Sequence, residues 1–487
     1  MKIRGQKISA CDSVQRMRLT RRALFGLPFL AAAQPRRRRP NVIVFMTDDH
    51  GAWATGAYGC TDIHTPNIDA LAKTGARFTR AFACTPVCSP SRMTYMTGAV
   101  PSVHGVQDWL VPGDAFGPKA TGWLDGFTIF PEVLAKGGYQ CGMVGKWHMG
   151  HDDKAQHGFS YWATVPGGGG TFKNAVYVKN GVTTPYPGFK EDAIGDFALE
   201  FLEKQKPEAP FYLHVPFYAP HTPFDFQPEE DRKHYDETKL SCFPDTPKHP
   251  NQHPGLGKNH GQNASKVAYF SLISGADRNI GRVLRYLEQR GWRENTLVVF
   301  TADQGWNAGH HGVWGKGNGT WPFNMYEESI RVPMIWSHPA GIKAGQTITS
   351  MVSSYDFFPT MVDYTGLSAA PDKRRVGRSY AGFLRGQKPK WEDKLFFEYS
   401  YVRGVRTTTR KLVIRAEGFP SEFYDLEKDP GETKNQIDDP AYAKEVQALR
   451  REIEGWFQKN GAPPIEEWTK TTKQNLTKYG PFPGHKQ

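Results

Sequence analysis

Nowhere in its 487 residues does the chain hold a run of about 18 apolar residues, so no segment is long enough to cross a bilayer as a stable helix. Cysteine is scarce: there are six, none in a Cys-x-x-Cys pair, which leaves no zinc-ribbon spacing and no dense disulfide framework. A strong charge bias is also missing from the body of the chain. The net charge is +12, but residues 1–33 carry seven basic residues against the single acid Asp12, and Arg36, Arg37, Arg38 and Arg39 add four more. The remainder is +2, too little for a basic groove that would hold DNA or RNA, and no nucleic-acid partner is expected. A mean hydropathy of -0.57 with 13% aromatic residues fits a soluble enzyme rather than a disordered or fibrous chain.

What is present begins with a leader. Thr20-Arg21-Arg22 precedes a short apolar stretch, Ala23 to Ala33, that closes on Ala31-Ala32-Ala33. A charged start, a brief apolar centre and a small-residue cleavage site read as an export signal over 1–33, and the paired arginines resemble a twin-arginine signal. No cysteine follows the alanines, so a lipid anchor is not expected, and the mature protein is placed in the periplasm or outside the cell. Five cysteines then remain: Cys60, Cys84, Cys88, Cys141 and Cys242. In an exported protein an odd number leaves at least one unpaired or chemically used.

Asn41 to Thr47 is a β-branched apolar run of the kind buried in a parallel sheet. Thr65-Pro66-Asn67-Ile68-Asp69 then sets an N-cap threonine before a first-turn proline, and Gly75 closes that helix. Helical periodicity recurs at 131–137, 191–204 and 264–290, and strand patterns at 140–145, 211–216 and 296–302. Such alternation predicts an α/β fold with a large mixed, mostly parallel sheet sandwiched by helices, over residues 40–385. From 390 to 487 short runs at Lys394–Tyr399, Gly404–Thr408, Lys411–Arg415 and Glu422–Leu426 predict a smaller α+β subdomain with an antiparallel sheet. Its terminal helix, about 440–458, offers Val446, Leu449, Ile453 and Phe457 on one face. Residues 220–262 and 305–325 are rich in Pro, Gly, His and Asn and read as long ordered loops walling a site.

One internal echo stands out. Val42 to Asp49 is mirrored by Leu297 to Gln304; each is a buried-type strand ending in two oxygen-bearing side chains. Ligands of open α/β sheets bind at the carboxyl ends of strands, where both pairs could meet. Asp48, Asp49, Asp303 and Gln304 form a hard oxygen set that suits Ca²⁺ or Mg²⁺ better than Zn²⁺. Taken singly, each pair reads more readily as caps on the turns that follow.

The stretch Cys88-Ser89-Pro90-Ser91-Arg92-Met93-Thr94-Tyr95-Met96-Thr97-Gly98 decides the reading. Together with Asp48-Asp49, Thr65 to Ala72, Gly145-Lys146-Trp147-His148, Ala219 to Pro223, Asp303-Gln304-Gly305 and Lys316, it resembles the sulfatase family of the alkaline phosphatase superfamily. The likeness runs from about 40 to 365, with a weaker echo at Tyr424 to Pro430. It implies an alkaline phosphatase-like fold and a sulfuric ester hydrolase. It further implies that a separate formylglycine-generating enzyme oxidises Cys88 to an aldehyde whose hydrate is the nucleophile, which would account for the odd thiol. By the same resemblance Asp48, Asp49, Asp303, Gln304 and residue 88 would hold Ca²⁺, with Mg²⁺ possible. Gln304 stands where family members carry Asn, His or Gln. Arg92 would orient the diol, and Lys146 and Lys316 would bind sulfate oxygens. His148 would take the second diol proton, His221 would bind substrate and assist the leaving oxygen, and His311 or its neighbour His310 would line the pocket.

Other readings stay beside this one. Each lone histidine is more often a hydrogen-bonded loop residue, and only the joint order of the motifs reverses that. Trp109, Trp306, Trp314 and Trp321 could stack on sugar faces or equally anchor loops. The substrate expected is a sulfated small molecule or glycan. The rival is a phosphonate monoester or phosphodiester hydrolase of the same superfamily. A thiolate phosphatase would need Cys-x5-Arg, whereas Cys88 and Arg92 stand as Cys-x3-Arg.

Overall fold

The computed structural model describes residues 38–470; the expected leader lies outside them. The main sheet has ten strands: β1 (Asn41–Thr47), β2 (Ala76–Phe78), β3 (Gln140–Gly145), β4 (Tyr161–Thr164), β5 (Val176–Lys179), β6 (Val182–Pro185), β7 (Phe211–Pro216), β8 (Thr296–Ala302), β9 (Met334–Ser337) and β10 (Gln346–Ile348). Their spatial order is β10-β2-β9-β8-β1-β7-β3-β4-β5-β6. The centre, from β8 to β4, is parallel throughout, and antiparallel pairs enter towards both margins. The echoing segments are direct neighbours: Val44 lies opposite Val299 and Thr47 opposite Ala302.

Alternation along the central strands divides the core into two layers. Val42, Val44 and Met46 of β1, with Leu297 and Val299 of β8, pack against α2 (Cys88–Thr97), α3 (Phe130–Lys136) and α6 (Phe357–Tyr364). Ile43, Phe45, Val298 and Phe300 face the other way. They meet α1 (Pro66–Thr74), α4 (Lys190–Glu203) and α5 (Asn263–Gln289). Side chains that are 0% exposed along both β1 and β8 explain why these strands read as unbroken apolar runs.

The cap of α1 departs from expectation. The Thr65 hydroxyl does not bond the helix backbone; it accepts from Gly56 N at 3.1 Å. The helix start is instead held by Asp277, which reaches from α5 to accept from Asn67 N at 3.2 Å and Ile68 N at 2.7 Å. A remote carboxylate meets the orphan amides of the first turn.

Four antiparallel strands, β11 (Lys394–Tyr399), β12 (Val402–Thr407), β13 (Arg410–Arg415) and β14 (Glu422–Asp425), form a second sheet in chain order. The helix α7 (Ala443–Lys459) buries Val446, Leu449, Ile453 and Phe457, the four residues its periodicity selects. Cys60 pairs with Cys242, their Cα atoms 5.9 Å apart, which among the described residues leaves Cys84, Cys88 and Cys141 as free thiols.

Candidate active site

The parallel strands end on one edge, and their next residues build the site. Asp48 and Asp49 follow β1, Asp303 and Gln304 follow β8, and Lys146 and His148 follow β3. His221 lies five residues past β7. Asp49 sits at φ 64°, a left-handed position that an aspartate tolerates better than most residues. Its amide donates to Asp303 Oδ1 at 3.3 Å, so the two strand ends are stitched together.

Cys88 is the first residue of α2, all ten residues of which are buried. One turn on, Arg92 donates from Nε to Asp303 Oδ2 at 2.9 Å and from Nη1 to the Lys146 carbonyl at 2.6 Å. Its Nη2 lies 3.6 Å from Asp48 Oδ2. Lys146 pairs with Asp48, and Lys316 Nζ pairs with Asp49 Oδ1 at 2.6 Å. Three carboxylates thus face three cations, all six side chains nearly closed off from solvent.

Gln304 lies among them with Nε2 3.0 Å from Asp48 Oδ1 and 2.6 Å from Asp49 Oδ1, while its Oε1 is buried without a partner. An orphaned amide oxygen beside three carboxylates is a donor set made for a hard cation: turning the amide over would bring its oxygen in with theirs. Electrostatics agree. Burial, and then the charge of Asp48, push Asp303 up to about 7. Asp48 also meets the cost of burial, but Lys146, His221, Arg92 and Lys316 overcome it and hold the carboxyl well below its usual range. A divalent cation would relieve the repulsion that leaves Asp303 hard to ionise. The residues fit Ca²⁺ or Mg²⁺, and the set offers no soft ligand save the Cys88 sulfur.

Above this cluster lies a cavity of about 420 Å³ whose wall includes Asp49, Cys88, Lys146, His148, His221 and Lys316. Burial raises the Cys88 thiol, so it is a poor thiolate at neutral pH. His148, at φ 58°, has Nε2 2.8 Å from the Leu110 carbonyl, and its Nδ1 has no protein partner. Burial and then Lys146 drive it well below its ordinary pKa, so it is a neutral imidazole with a lone pair to offer on Nδ1. His221 is lowered to about 4, chiefly by burial; its Nδ1 bonds the Thr222 carbonyl and its Nε2 lies 3.7 Å from Asp49 Oδ2.

The sequence expectation for His311 is corrected. His311 does not line this cavity: its Nε2 pairs with Glu328 at 2.7 Å and its ring stacks on Tyr326 at 3.9 Å. His310 is turned to the Asn307 carbonyl and Trp53. Trp109 and Trp306 do reach the cavity, whereas Trp314 packs among Phe224, Phe243 and Trp306, and Trp321 among Phe323, Tyr401 and Phe419. The loops expected to wall the site supply Thr222, His253, Leu256 and Asn318, whereas Pro112, Gly167, Gly168 and Gly169 escaped the sequence reading. The run of four glycines at 167–170 was the available signal, because such a run marks close backbone approach. A Cβ on Gly168 would stand 2.3 Å from the His148 ring.

A family model described as sulfatase matches residues 40–367, about two thirds of the chain. The chain belongs to the sulfatase family. It is therefore a sulfuric ester hydrolase, and a second model, for the C-terminal part of N-sulphoglucosamine sulphohydrolase, matches residues 309–459 of this sulfatase. The sulfatase is 26% identical to the N-acetylglucosamine-6-O-sulfatase of Bacteroides thetaiotaomicron, with 88% of this chain and 89% of that one covered. A solved structure in complex with its substrate D-glucosamine-2-N,6-O-disulfate superposes with a TM-score of 0.75 at 25% identity, covering 88% of this chain and all of that one. The phosphonate monoester hydrolase of Agrobacterium radiobacter shares the fold at a TM-score of 0.69 and 23% identity, covering 87% and 96%. Among the described residues no helix is long and apolar enough to cross a membrane.

Proposed function

We propose that this sulfatase is exported and hydrolyses a sulfate monoester of a carbohydrate, using residue 88 in its formylglycine form and a Ca²⁺ ion at the strand ends. One observation carries the reading. A free, buried cysteine opens on a cavity whose floor combines three carboxylates, an orphaned amide oxygen and three paired cations. Asp48, Asp49, Asp303 and Gln304 would hold the ion, which when bound supplies Lewis acidity to the nucleophile and to a sulfate oxygen. Oxidation of Cys88, by a separate formylglycine-generating enzyme, would replace a thiol that burial keeps protonated with a hydrated aldehyde bearing two hydroxyls.

The chain's own groups then divide the work. Arg92, fixed between Asp303 and the Lys146 carbonyl, holds the residue-88 end of α2 against the strand ends. Lys146 and Lys316 exchange part of their pairing with Asp48 and Asp49 for sulfate oxygens, offsetting charge that grows during transfer. His148 Nδ1 accepts the proton whose loss lets sulfate depart. His221, neutral in the free site, would take the proton that the attacking hydroxyl of residue 88 gives up and pass it to the leaving alcohol oxygen. The sugar assignment rests on two of the relatives, one named an N-acetylglucosamine-6-O-sulfatase and one solved with a glucosamine disulfate as its substrate. Export is supported by the Cys60–Cys242 disulfide, which suits an oxidising compartment.

The test is turnover of defined sulfated mono- and disaccharides against the phosphate and phosphonate esters of the same alcohols, with Cys88→Ala as control. Sulfate esters should lead in kcat/KM, and the control should be inactive yet folded. A phosphonate or phosphodiester preferred over every sulfate ester would replace this reading with the phosphohydrolase one, and an active Cys88→Ala would end both.

A further inference from the structure

Gly167, Gly168 and Gly169 form the part of the cavity wall that backs His148, and a loop without side chains cannot anchor itself. Its position matters all the same, because Gly168 lies so close to the His148 ring that a Cβ has no room there. The anchor comes from another element. Lys190, the first residue of α4, donates from Nζ to the Gly169 carbonyl at 3.2 Å. The same ammonium stands 3.8 Å from the centroid of the Tyr218 ring and 5.5 Å from that of Phe172.

Tyr218 belongs to the other side of the site. Its carbonyl accepts from the His221 amide at 3.0 Å, its hydroxyl donates to the Thr222 carbonyl at 2.5 Å, and its ring centroid lies 4.9 Å from that of His221. Lys146 Nζ also stands over this ring, at 5.3 Å. Glu191, next along α4, adds a second tie to the same segment by accepting from Ala219 N at 2.9 Å. The first turn of α4 therefore holds both the loop behind His148 and the segment that leads into His221.

An ammonium in this place is costly. Lys190 is 1% exposed, and among the described residues no carboxylate forms an ion pair with it. Burial, offset in part by the charge of Glu191, pulls it down to about 7. A methionine would fill the space between the two aromatic rings without that penalty. What lysine adds is one hydrogen bond and one charged contact with a ring, and each ends on a residue that supports a catalytic histidine.

We infer that Lys190 is a positioning residue for the reaction: it fastens the glycine loop behind His148 to the Tyr218 ring beside His221, and so sets how the two proton-transfer groups stand across the cavity. Lys190 does not line the cavity and acts only through Gly169 and Tyr218. The inference rests on the histidine roles proposed above and adds to them a residue outside every motif of the sequence.

Lys190→Met keeps the volume and removes the ammonium. On a sulfated monosaccharide its kcat should fall about 30-fold with KM within about threefold of wild type, the mark of misplaced reacting groups. Its Tm should hold or rise, since an apolar chain replaces a buried charge. Lys190→Arg, which keeps a donor and a charge beside the ring, should recover to within about fivefold of wild type. Gly168→Ala displaces the same His148 ring, so the two losses should not multiply: the double variant should stay near the 100-fold loss of Gly168→Ala alone, not reach about 3000-fold. The assignment is overturned by a Lys190→Met variant within threefold of wild-type kcat or unable to fold, by Lys190→Arg no better than Lys190→Met, or by losses that multiply. Each of these leaves the sulfatase reading in place. A wild-type enzyme that turns over no sulfate ester, 4-nitrophenyl sulfate included, removes that reading and the histidine roles with it.

Discussion

Gly168→Ala should damage catalysis far more than stability. The added Cβ would fall 2.3 Å from Cγ and Cδ2 of His148 and 2.7 Å from its Nε2. Carbon atoms rest about 3.5–4.0 Å apart, so the imidazole would have to retreat by more than about 1 Å. That retreat breaks the 2.8 Å contact between Nε2 and the Leu110 carbonyl, which fixes the tautomer and aims Nδ1. A displacement of about 1 Å at a proton acceptor is enough for a loss near 100-fold. The backbone at φ +67° adds left-handed strain of about 1–2 kcal/mol. Gly181→Ala separates the two effects, because Gly181 has φ +84° but nothing within 4 Å of its Cβ position. Both variants should lose a few degrees of Tm at most. Only Gly168→Ala should lose kcat, by about 100-fold on 4-nitrophenyl sulfate. Activities of the two variants within threefold of each other would refute the role given to the His148 ring position.

Chelation with EDTA should abolish turnover and Ca²⁺ or Mg²⁺ should restore it; Asp303→Ala should not recover with added ion, and stoichiometric zinc in an active enzyme would contradict the oxygen set. Asp152 is pushed up to about 8 by burial, so the native state holds an extra proton between about pH 4 and 8 and loses stability as pH rises through that window. Asp152→Asn should flatten that slope in urea titrations. Lys411 is buried with Nζ 2.6 Å from Glu432 and 3.3 Å from Glu327; Glu327 keeps its pair with Arg406, so Lys411→Met strands the buried Glu432 and should cost about 3 kcal/mol of unfolding free energy.

Much of the fold was legible because its core strands are uniformly apolar and its helices keep period. β1, β7 and β8 announced themselves by composition, and the echo between Val42–Asp49 and Leu297–Gln304 correctly put four oxygen side chains at adjacent strand ends. What escaped were features set by distant partners. Nothing local in Thr65 says that Asp277, some 210 residues away, will take over its capping role. The Cys60–Cys242 pair spans 182 residues and follows no spacing rule. His311 matched the composition of a pocket loop, yet Glu328 and Tyr326 claim its ring. The hairpin β5–β6 was missed because its residues are partly exposed and carry little apolar alternation.

The burial of α2 sets an order of events. Every residue from Cys88 to Thr97 is sealed inside the protein, and residue 88 retains only 3% of its surface. A catalyst of protein size cannot grasp the peptide around such a position, since it needs several neighbouring residues laid out in its own cleft. If residue 88 works in the proposed formylglycine form, its oxidation would belong to the life of the chain before this helix docks, and folding would act as the deadline: a molecule that closed early would stay inert, however well it is built.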